Sequence, residues 1–218
     1  MVIAIDAHKI AYMAVPKAGC SSVKRALAHI DPSVTLPPEA ERDVYTWHAI
    51  YPTKRFRPQR WQAFEDDDWF RFTVVRDPVR RLMSCYVNRV VELKELHNCR
   101  KILRGRVDLP KDPDPDFFFQ NLKAYREASS SIKHHALGSW LFTGPDLTRY
   151  SRVYKVEEMD ELARKLTEIS GQPVEMPREN KSSFKLTLDD LKPRTFAAIL
   201  PHLDREYAHL SGYYDNPL

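Results

Sequence analysis

A short loop with a lysine, a glycine and two serines separates an apolar segment from a helical segment near the N-terminus. Residues 12–24 read Tyr-Met-Ala-Val-Pro-Lys-Ala-Gly-Cys-Ser-Ser-Val-Lys. In the nucleoside-triphosphate loop G-x-x-x-x-G-K-[ST] the lysine follows the last glycine, whereas here Lys17 precedes Gly19. The loop is too short to wrap a diphosphate. We therefore expect it to hold one phosphate against the start of a helix.

The residue types in this loop suit anion binding. The first N–H groups of a helix have no intrahelical acceptor and lie at the positive end of its dipole, so they favour an anion. Gly19 allows close approach of the backbone, and residues 20–22 add N–H groups and two hydroxyls. Lys17 supplies a point charge, and Lys24 is a candidate for a second one. A tight strand-to-helix turn with a solvated lysine would explain the same residues.

A second group of candidate binding residues lies about sixty positions further on. Residues 75–86 read Val-Arg-Asp-Pro-Val-Arg-Arg-Leu-Met-Ser-Cys-Tyr. Arg76 directly follows an apolar strand-like segment, and Ser84 lies about two turns into the helix expected next. The planar fork of donors in a guanidinium matches a phosphate dianion. The alternative is an ion pair on the surface. It would be formed either between Arg76 and Asp77 or between Arg81 and an acidic side chain.

The elements that must position these residues alternate between strands and helices. Residues 3–15 predict two short strands or a hairpin, and residues 69–75 and 152–156 predict further strands. Such alternation indicates an α/β fold with a mainly parallel sheet. Ligands of these sheets bind beyond the carboxyl ends of the strands. Lys17 and Arg76 both follow such ends.

Helix signals flank the predicted strands. Ser21 or Ser22 is the expected N-cap of the first helix, which should end before Pro32. Residues 159–170 predict a later helix that a glycine closes. Residues 37–60 are rich in turn-forming and aromatic residues, and we expect loops there with one short helix.

Composition narrows the class of protein. A chain of 218 residues with 43% hydrophobic content can bury one core, so we expect a single domain over residues 1–218. Its 34 basic residues are offset by 30 acidic ones, which argues against nucleic acid as a partner. No apolar segment reaches the length of a signal or membrane span. The three cysteines lack a C-x-x-C pair, which fits reduced thiols in the cytoplasm.

Together the two motifs resemble those of one enzyme family. The pattern P-K-A-G-C-S-S-x-K, followed by V-V-R-D-P-x-x-R-L-x-S-x-Y, resembles the sulfotransferases that use 3′-phosphoadenosine 5′-phosphosulfate (PAPS), and looks most like the carbohydrate branch, sulfotransferase family 2. The resemblance implies a three-layer, P-loop-like α/β fold with a mainly parallel sheet flanked by helices. It also implies that the first motif binds the 5′-phosphosulfate of PAPS and the second its 3′-phosphate.

The resemblance assigns roles to the residues of both motifs. It implies that Lys17 contacts the bridging oxygen and the leaving 5′-phosphate. The residues implied to bind the nucleotide are Lys17, Ala18, Gly19, Cys20, Ser21, Ser22, Arg76 and Ser84. Residues 152–157 resemble the late strand of the family, residues 180–183 a polar segment that closes over the nucleotide, and residues 203–214 its C-terminal pattern.

A general base should take the proton of the acceptor hydroxyl. In the family this group is a His or Glu from the region between the two motifs, and His48 is the only histidine there after the first helix. Its ordinary pKa near neutrality suits the role, although a core or surface histidine is the alternative. The carboxylates held in reserve are Glu39, Glu41 and Asp43, and the neighbouring His134 and His135 resemble a segment that faces the acceptor.

The sequence therefore predicts an enzyme that transfers a sulfuryl group from PAPS to a hydroxyl of a carbohydrate or glycoconjugate, leaving PAP, the 3′,5′-bisphosphate, as product. We expect no metal, because the leaving group carries a single 5′-phosphate. Basic and aromatic side chains between residues 51 and 61 are candidates to line an acceptor cleft, with a solvated basic loop as the alternative. A small P-loop kinase using ATP and a degenerate nucleotide- or glycan-binding module are the rival interpretations.

Overall fold

The structure is a computed structural model that describes residues 2–177 and 184–217. The chain divides into two compact units. The first contains residues 1–76 and 139–180, and the second contains residues 77–138 and 181–218. The expectation that residues 1–218 form one domain stays a prediction. No helix in the described ranges is long and apolar enough to cross a membrane.

The strands and helices alternate along the chain, as expected. The strands are β1 (Ile3–Ile5), β2 (Ile10–Met13), β3 (Phe70–Val75) and β4 (Arg152–Lys155). The helices are α1 (Cys20–Ile30), α2 (Val44–Ile50), α3 (Pro58–Trp61), α4 (Pro78–Cys85), α5 (Arg100–Leu103), α6 (Pro115–Gln120), α7 (Leu122–Ala128), α8 (Ser130–Ala136), α9 (Trp140–Thr143), α10 (Met159–Ser170) and α11 (Pro193–His209). A π-helical segment (Tyr86–Glu92) continues α4.

All four strands form one sheet in the first unit. Their order is β1-β2-β3-β4; β1 and β2 form an antiparallel hairpin, and β2, β3 and β4 are parallel to one another. Met13, the last residue of β2, pairs with Thr73 of β3, and the Thr73 hydroxyl donates a hydrogen bond to the Met13 carbonyl at 2.7 Å. The predicted α/β fold with a mainly parallel sheet flanked by helices is confirmed.

The core of the first unit is continuous from the sheet to its helices. Tyr12 of β2 stacks on Phe72 of β3, with ring centroids 4.8 Å apart, and every residue of β2 is buried. Val23 and Leu27 of α1, Trp47 of α2, and Leu162 and Leu166 of α10 belong to the same buried cluster. A strand that is apolar throughout is typical of a parallel sheet covered on both faces.

Helix α1 begins earlier than its serines predict. Gly19 is the N-cap and has a left-handed backbone with φ 71°, so the prediction of Ser21 or Ser22 as N-cap is wrong. Because glycine adopts positive φ without steric cost, the chain can turn into the helix one residue after Ala18. The expected end before Pro32 is confirmed, with Asp31 as C-cap.

Two other helix predictions have different outcomes. The helix at residues 159–170 is confirmed as α10, and Gly171 closes it with φ 69°. The expectation of one short helix in residues 37–60 is wrong, because both α2 and the start of α3 lie there. Asp43 caps α2 by accepting a hydrogen bond from the Tyr45 N–H at 2.9 Å, a local signal that marks a helix start.

The second unit contains a buried ion pair. Arg81 of α4 and Glu206 of α11 are each 1% exposed at the side chain, with Nη2 and Oε1 2.8 Å apart. Arg81 Nη2 also donates to the Leu137 carbonyl at 2.8 Å. Asp77 caps α4 by accepting from the Arg80 N–H and accepts a hydrogen bond from Tyr207. The alternative of a surface pair made by Arg81 is therefore wrong.

We expect Arg81→Met to lower the free energy of unfolding by about 3–5 kcal/mol, because it leaves the Glu206 carboxylate buried without its cation. Urea unfolding followed by circular dichroism measures the change. Lys165→Met is the control, since Lys165 and Glu168 form an exposed pair at 2.8 Å, and such pairs contribute little. Equal stability of the two variants would contradict this account.

A second pair of variants separates backbone strain from crowding at the start of α1. A Cβ at Gly19 would lie 3.5 Å from Val156 Cγ2, an ordinary contact, and one at Gly171 would have no atom within 4 Å. Both positions have left-handed φ, so Gly19→Ala and Gly171→Ala should each cost about 1–2 kcal/mol of stability. Thermal and urea denaturation measure both. A loss for Gly19→Ala more than about twice that for Gly171→Ala would show that side chains crowd this turn.

Candidate functional site

The loop between β2 and α1 has an unusual backbone. Lys17 has φ 67° and Gly19 has φ 71°, and the Ala18 N–H donates to the Val15 carbonyl at 3.3 Å. A left-handed lysine is sterically disfavoured, and such strain concentrates at functional sites. The loop is therefore strained at the position where the sequence predicts a binding turn.

The N–H groups at the start of α1 precede the hydrogen bonds of the helix itself. The first hydrogen bond of the helix runs from the Val23 N–H to the Gly19 carbonyl at 3.2 Å, so the N–H groups of residues 20–22 lie before the intrahelical bonds begin. Gly19, as N-cap, has no side chain to satisfy them. A phosphate at this helix end would find N–H donors and the positive end of the dipole.

Arg76 and Lys17 lie together at the carboxyl edge of the sheet. Arg76 directly follows β3, and its Nη1 donates to the Lys17 carbonyl at 3.2 Å. This contact ties the strained residue of the loop to the end of the neighbouring strand. A guanidinium has five N–H donors in a planar fork, an arrangement that suits a phosphate. The structure thus brings together one candidate from each motif.

The serine hydroxyls of the loop have partners in the protein. Ser22 is 6% exposed, and its hydroxyl donates to the Pro177 carbonyl at 2.7 Å. The Ser21 hydroxyl lies 2.9 Å from His48 Nε2. The motif predicts that both hydroxyls add to a phosphate site. In the structure the Ser22 hydroxyl donates to a carbonyl instead, which leaves the N–H group of this residue as its candidate donor to an anion.

His48 lies against α1 through both ring nitrogens. Its Nε2 faces Ser21, and its Nδ1 is 3.0 Å from Lys24 Nζ. Trp47, next to it on α2, is 1% exposed and anchors the helix in the core. The ring of His48 is half-buried. The candidate base and the candidate phosphate loop are therefore joined by a hydrogen bond.

Lys24 is placed differently from the expectation that it adds a second charge to the loop. It is fully buried, and its Nζ donates to Thr53 Oγ1 at 2.5 Å as well as lying against His48. Burial lowers the pKa of the Lys24 amine, and the nearby Cys20 acts in the opposite direction. The partnership of Lys24 with His48 was not predicted from the sequence. The spacing of Ser21 and Lys24, three residues apart on one helix face, was the available signal.

The reserve carboxylates have other roles. Glu41 forms ion pairs with Arg25 at 2.5 Å and with His29 at 2.7 Å. Asp43 caps α2, and Glu39 is exposed. Of the candidate bases between the two motifs, His48 is the one for which the structure shows a hydrogen bond to the loop.

Residues 51–61, the basic and aromatic segment expected to line an acceptor cleft, are partly exposed. Its four cations, Lys54, Arg55, Arg57 and Arg60, are exposed. Trp61 is 0% exposed and packs against Phe56 and Tyr150, with ring centroids 6.0 and 4.8 Å away. A ring buried in the core does not line a cleft, so the expectation is wrong for Trp61.

The remaining candidates lie in the second unit or beyond the described residues. Ser84 lies on α4 and is 8% exposed; its role beside Arg76 stays a prediction. His135, on α8, donates from Nδ1 to the Ser131 carbonyl at 2.9 Å. Residues 180–183 lie outside the described residues. The described part of the chain contains no group of three or more His, Cys, Asp or Glu side chains that could hold a metal ion.

Comparison with known proteins places this amino-acid sequence in a family. A model of the sulfotransferase family matches residues 1–214. The chain is 24% identical to carbohydrate sulfotransferase 14 of Danio rerio over 183 residues, which cover 77% of this chain and 47% of that protein. It is 30% identical to carbohydrate sulfotransferase 14 of Mus musculus over 100 residues, 43% of this chain and 24% of that protein.

The chain spans less than half the length of these curated relatives. No solved structure matches it. The family match covers nearly all of the chain, including the strained loop at Lys17 and the strand end at Arg76. The chain belongs to the sulfotransferase family.

Proposed function

We propose that this chain is an enzyme that transfers a sulfuryl group from PAPS to a hydroxyl of a carbohydrate or glycoconjugate. Family membership supports sulfuryl transfer, and the names of the relatives support a carbohydrate acceptor. The observation that carries the proposal is the contact between Arg76 and the Lys17 carbonyl at the N-terminus of α1. This contact joins the ends of two parallel strands beside a helix end that favours anions.

The loop is suited to the charge that develops on the leaving group. When the bond between sulfur and the bridging oxygen breaks, negative charge grows on the 5′-phosphate. Preorganised N–H donors and a cation lower the barrier where such charge develops. We assign this task to Lys17 and to the N–H groups of residues 18–22. Arg76 and Ser84 are assigned to the 3′-phosphate. This phosphate takes no part in the transfer, so it needs only groups that bind a negative charge.

His48 is proposed as the base on the acceptor side. In-line displacement needs a hydroxyl held close to sulfur and a group that takes its proton. The hydrogen bond between His48 and Ser21 fixes the ring beside the phosphate loop, which supports this role. The leaving group carries one phosphate at the reacting end, and the proposed reaction requires no divalent cation.

The test compares two nucleotides and then measures transfer. PAP at 100 times its Kd should stabilise the chain by about 2.7 kcal/mol, seen as a higher melting temperature, whereas ATP with Mg²⁺ should give a much smaller shift. Labelled sulfate should then pass from PAPS to at least one member of a glycan panel. Stabilisation by ATP with Mg²⁺ alone would favour a kinase, and PAP binding with no transfer to any acceptor would favour a binding module.

A matched pair of lysine variants controls the nucleotide-binding measurement. Lys17 and Lys94 both have left-handed φ, 67° and 48°, so alanine at either position keeps similar backbone strain. Lys17→Ala should reduce the shift caused by PAP, because it removes the loop cation, and Lys94→Ala should not. An equal shift in both variants would remove Lys17 from the proposed site.

We expect His48→Ala to lower kcat for sulfate transfer by at least about 100-fold, the range of general-base catalysis, with PAP affinity nearly unchanged. Single-turnover transfer and calorimetric binding of PAP measure the two quantities. His29→Ala is the control, because His29 is an exposed partner of Glu41 on α1. Turnover of His48→Ala equal to that of the His29 control would exclude His48 as the base.

A further inference from the structure

Three side chains form a hydrogen-bonded chain behind the phosphate loop. Ser21 and Lys24 lie one turn apart on α1, and His48 of α2 lies against both. Ser21 Oγ is 2.9 Å from Nε2 of the ring, and Lys24 Nζ is 3.0 Å from Nδ1. The lysine thus contacts the nitrogen that faces away from the loop.

The surroundings of Lys24 disfavour a permanent positive charge. The side chain is fully buried, and no carboxylate in the described parts of the chain forms an ion pair with it. The groups that face it are the Thr53 hydroxyl, the His48 ring and, on its own helix, the Cys20 thiol. Burial without an opposite charge lowers the pKa of an amine, as it does at Lys24.

The 3.0 Å distance limits how many protons the pair can hold. An ammonium and an imidazolium facing each other would place two donors in contact, so the pair carries at most one positive charge. In the neutral form the Nδ1–H donates to the Lys24 amine, and Nε2 keeps a lone pair toward Ser21. In the charged form the Lys24 ammonium donates to Nδ1, and Nε2 carries the hydrogen.

We propose that Lys24 is a positioning residue that keeps His48 ready as a base and receives the proton from its far nitrogen. The inference rests on the proposed function, because it assigns the route of the acceptor proton in that reaction. Two observations support the proposal. Lys24 is buried without a carboxylate partner among the described residues, and its amine contacts the His48 nitrogen remote from the loop.

The step balances in bonds and charge. With the nucleotide bound, the Ser21 hydroxyl donates to the phosphate and releases Nε2. The acceptor O–H bond then breaks as the Nε2–H bond forms, and the Nδ1–H bond breaks as a third N–H bond forms on Lys24. The freed oxygen pair of the acceptor forms the new O–S bond. The electron pair of the old S–O bond leaves on the 5′-phosphate. The positive charge finishes on Lys24, and His48 is neutral before and after the transfer.

The ring tautomer of His48 tests the proposal without any measurement of activity. Nitrogen-15 NMR of the full chain with PAP bound distinguishes a protonated ring nitrogen from one with a lone pair, and His48→Ala identifies the signals. We expect protonated Nδ1 and unprotonated Nε2 at neutral to mildly alkaline pH. A hydrogen on Nε2 throughout that range would overturn the proposal, because the ring would then present no lone pair to the acceptor.

Substitutions at Lys24 give an independent readout. Lys24→Arg keeps a cation that only donates, so it should fix the hydrogen on Nε2 and lower kcat at least about 100-fold, with PAP affinity within about threefold of the parent. Lys24→Gln offers a carbonyl that accepts from Nδ1, so it should retain the Nδ1–H tautomer and more turnover than Lys24→Arg. Full turnover of a folded Lys24→Arg variant would overturn the proposal.

The outcomes separate this inference from the proposed function. If the parent chain transfers no sulfate from PAPS, the proposed function fails, and the tautomer still decides whether Lys24 sets the state of His48. If the parent chain transfers sulfate and the hydrogen lies on Nε2, only the inference fails. If Lys24→Arg does not fold, the tautomer of the parent chain remains decisive.

Discussion

The parallel pairing of β2 with β3 is the constraint on which the candidate site depends. Met13 pairs with Thr73, so the chain leaves β2 beside the last residues of β3, and the loop that follows reaches the end of that strand. The Arg76 guanidinium can then bond the Lys17 carbonyl. Parallel strands place their carboxyl ends at one edge, which is why two motifs about sixty residues apart in sequence become neighbours.

The start of α1 supplies the N–H groups of the proposed anion site. Gly19 turns the chain through a left-handed conformation and offers no capping side chain, so the N-cap residue does not satisfy the first N–H groups of the helix. The segment after β4 covers the turn, with Val156 and Met159 beside Gly19. Three neighbouring strands therefore contribute to one short loop. Strain at Lys17 is tolerated because β2 fixes the backbone before it and α1 the backbone after it, while Arg76 bonds its carbonyl.

The contact between α1 and α2 places His48 beside the candidate site. Trp47 is buried in the core, and the packing of α2 that results brings the neighbouring His48 to Ser21 and Lys24. A fully buried lysine is costly unless its polar atoms are satisfied. Here the Thr53 hydroxyl and the His48 ring provide that satisfaction. The same packing that stabilises the helix pair thus links the candidate base to the phosphate loop and to a group able to hold a proton.

The order of apolar and turn residues was enough to predict two short strands or a hairpin in residues 3–15, strands at residues 69–75 and 152–156, the helix at residues 159–170 and the positions of Lys17 and Arg76 after strand ends. These are local patterns of hydrophobicity and backbone preference, which act over a few residues. Family resemblance added the expected nucleotide and the candidate base. The serine N-cap was wrong because Gly19, two residues before Ser21, allowed the turn that serine would otherwise have stabilised.

Only the tertiary structure decided how the polar side chains are used. The sequence does not show that Ser22 bonds a carbonyl more than 150 residues away, that Trp61 is core, or that Arg81 is paired inside the second unit. Nor does it show that Lys24 turns from the loop toward His48. Hydrophobic periodicity specifies which face of an element is buried, whereas hydrogen-bond partners depend on distances between elements that meet only when the chain packs.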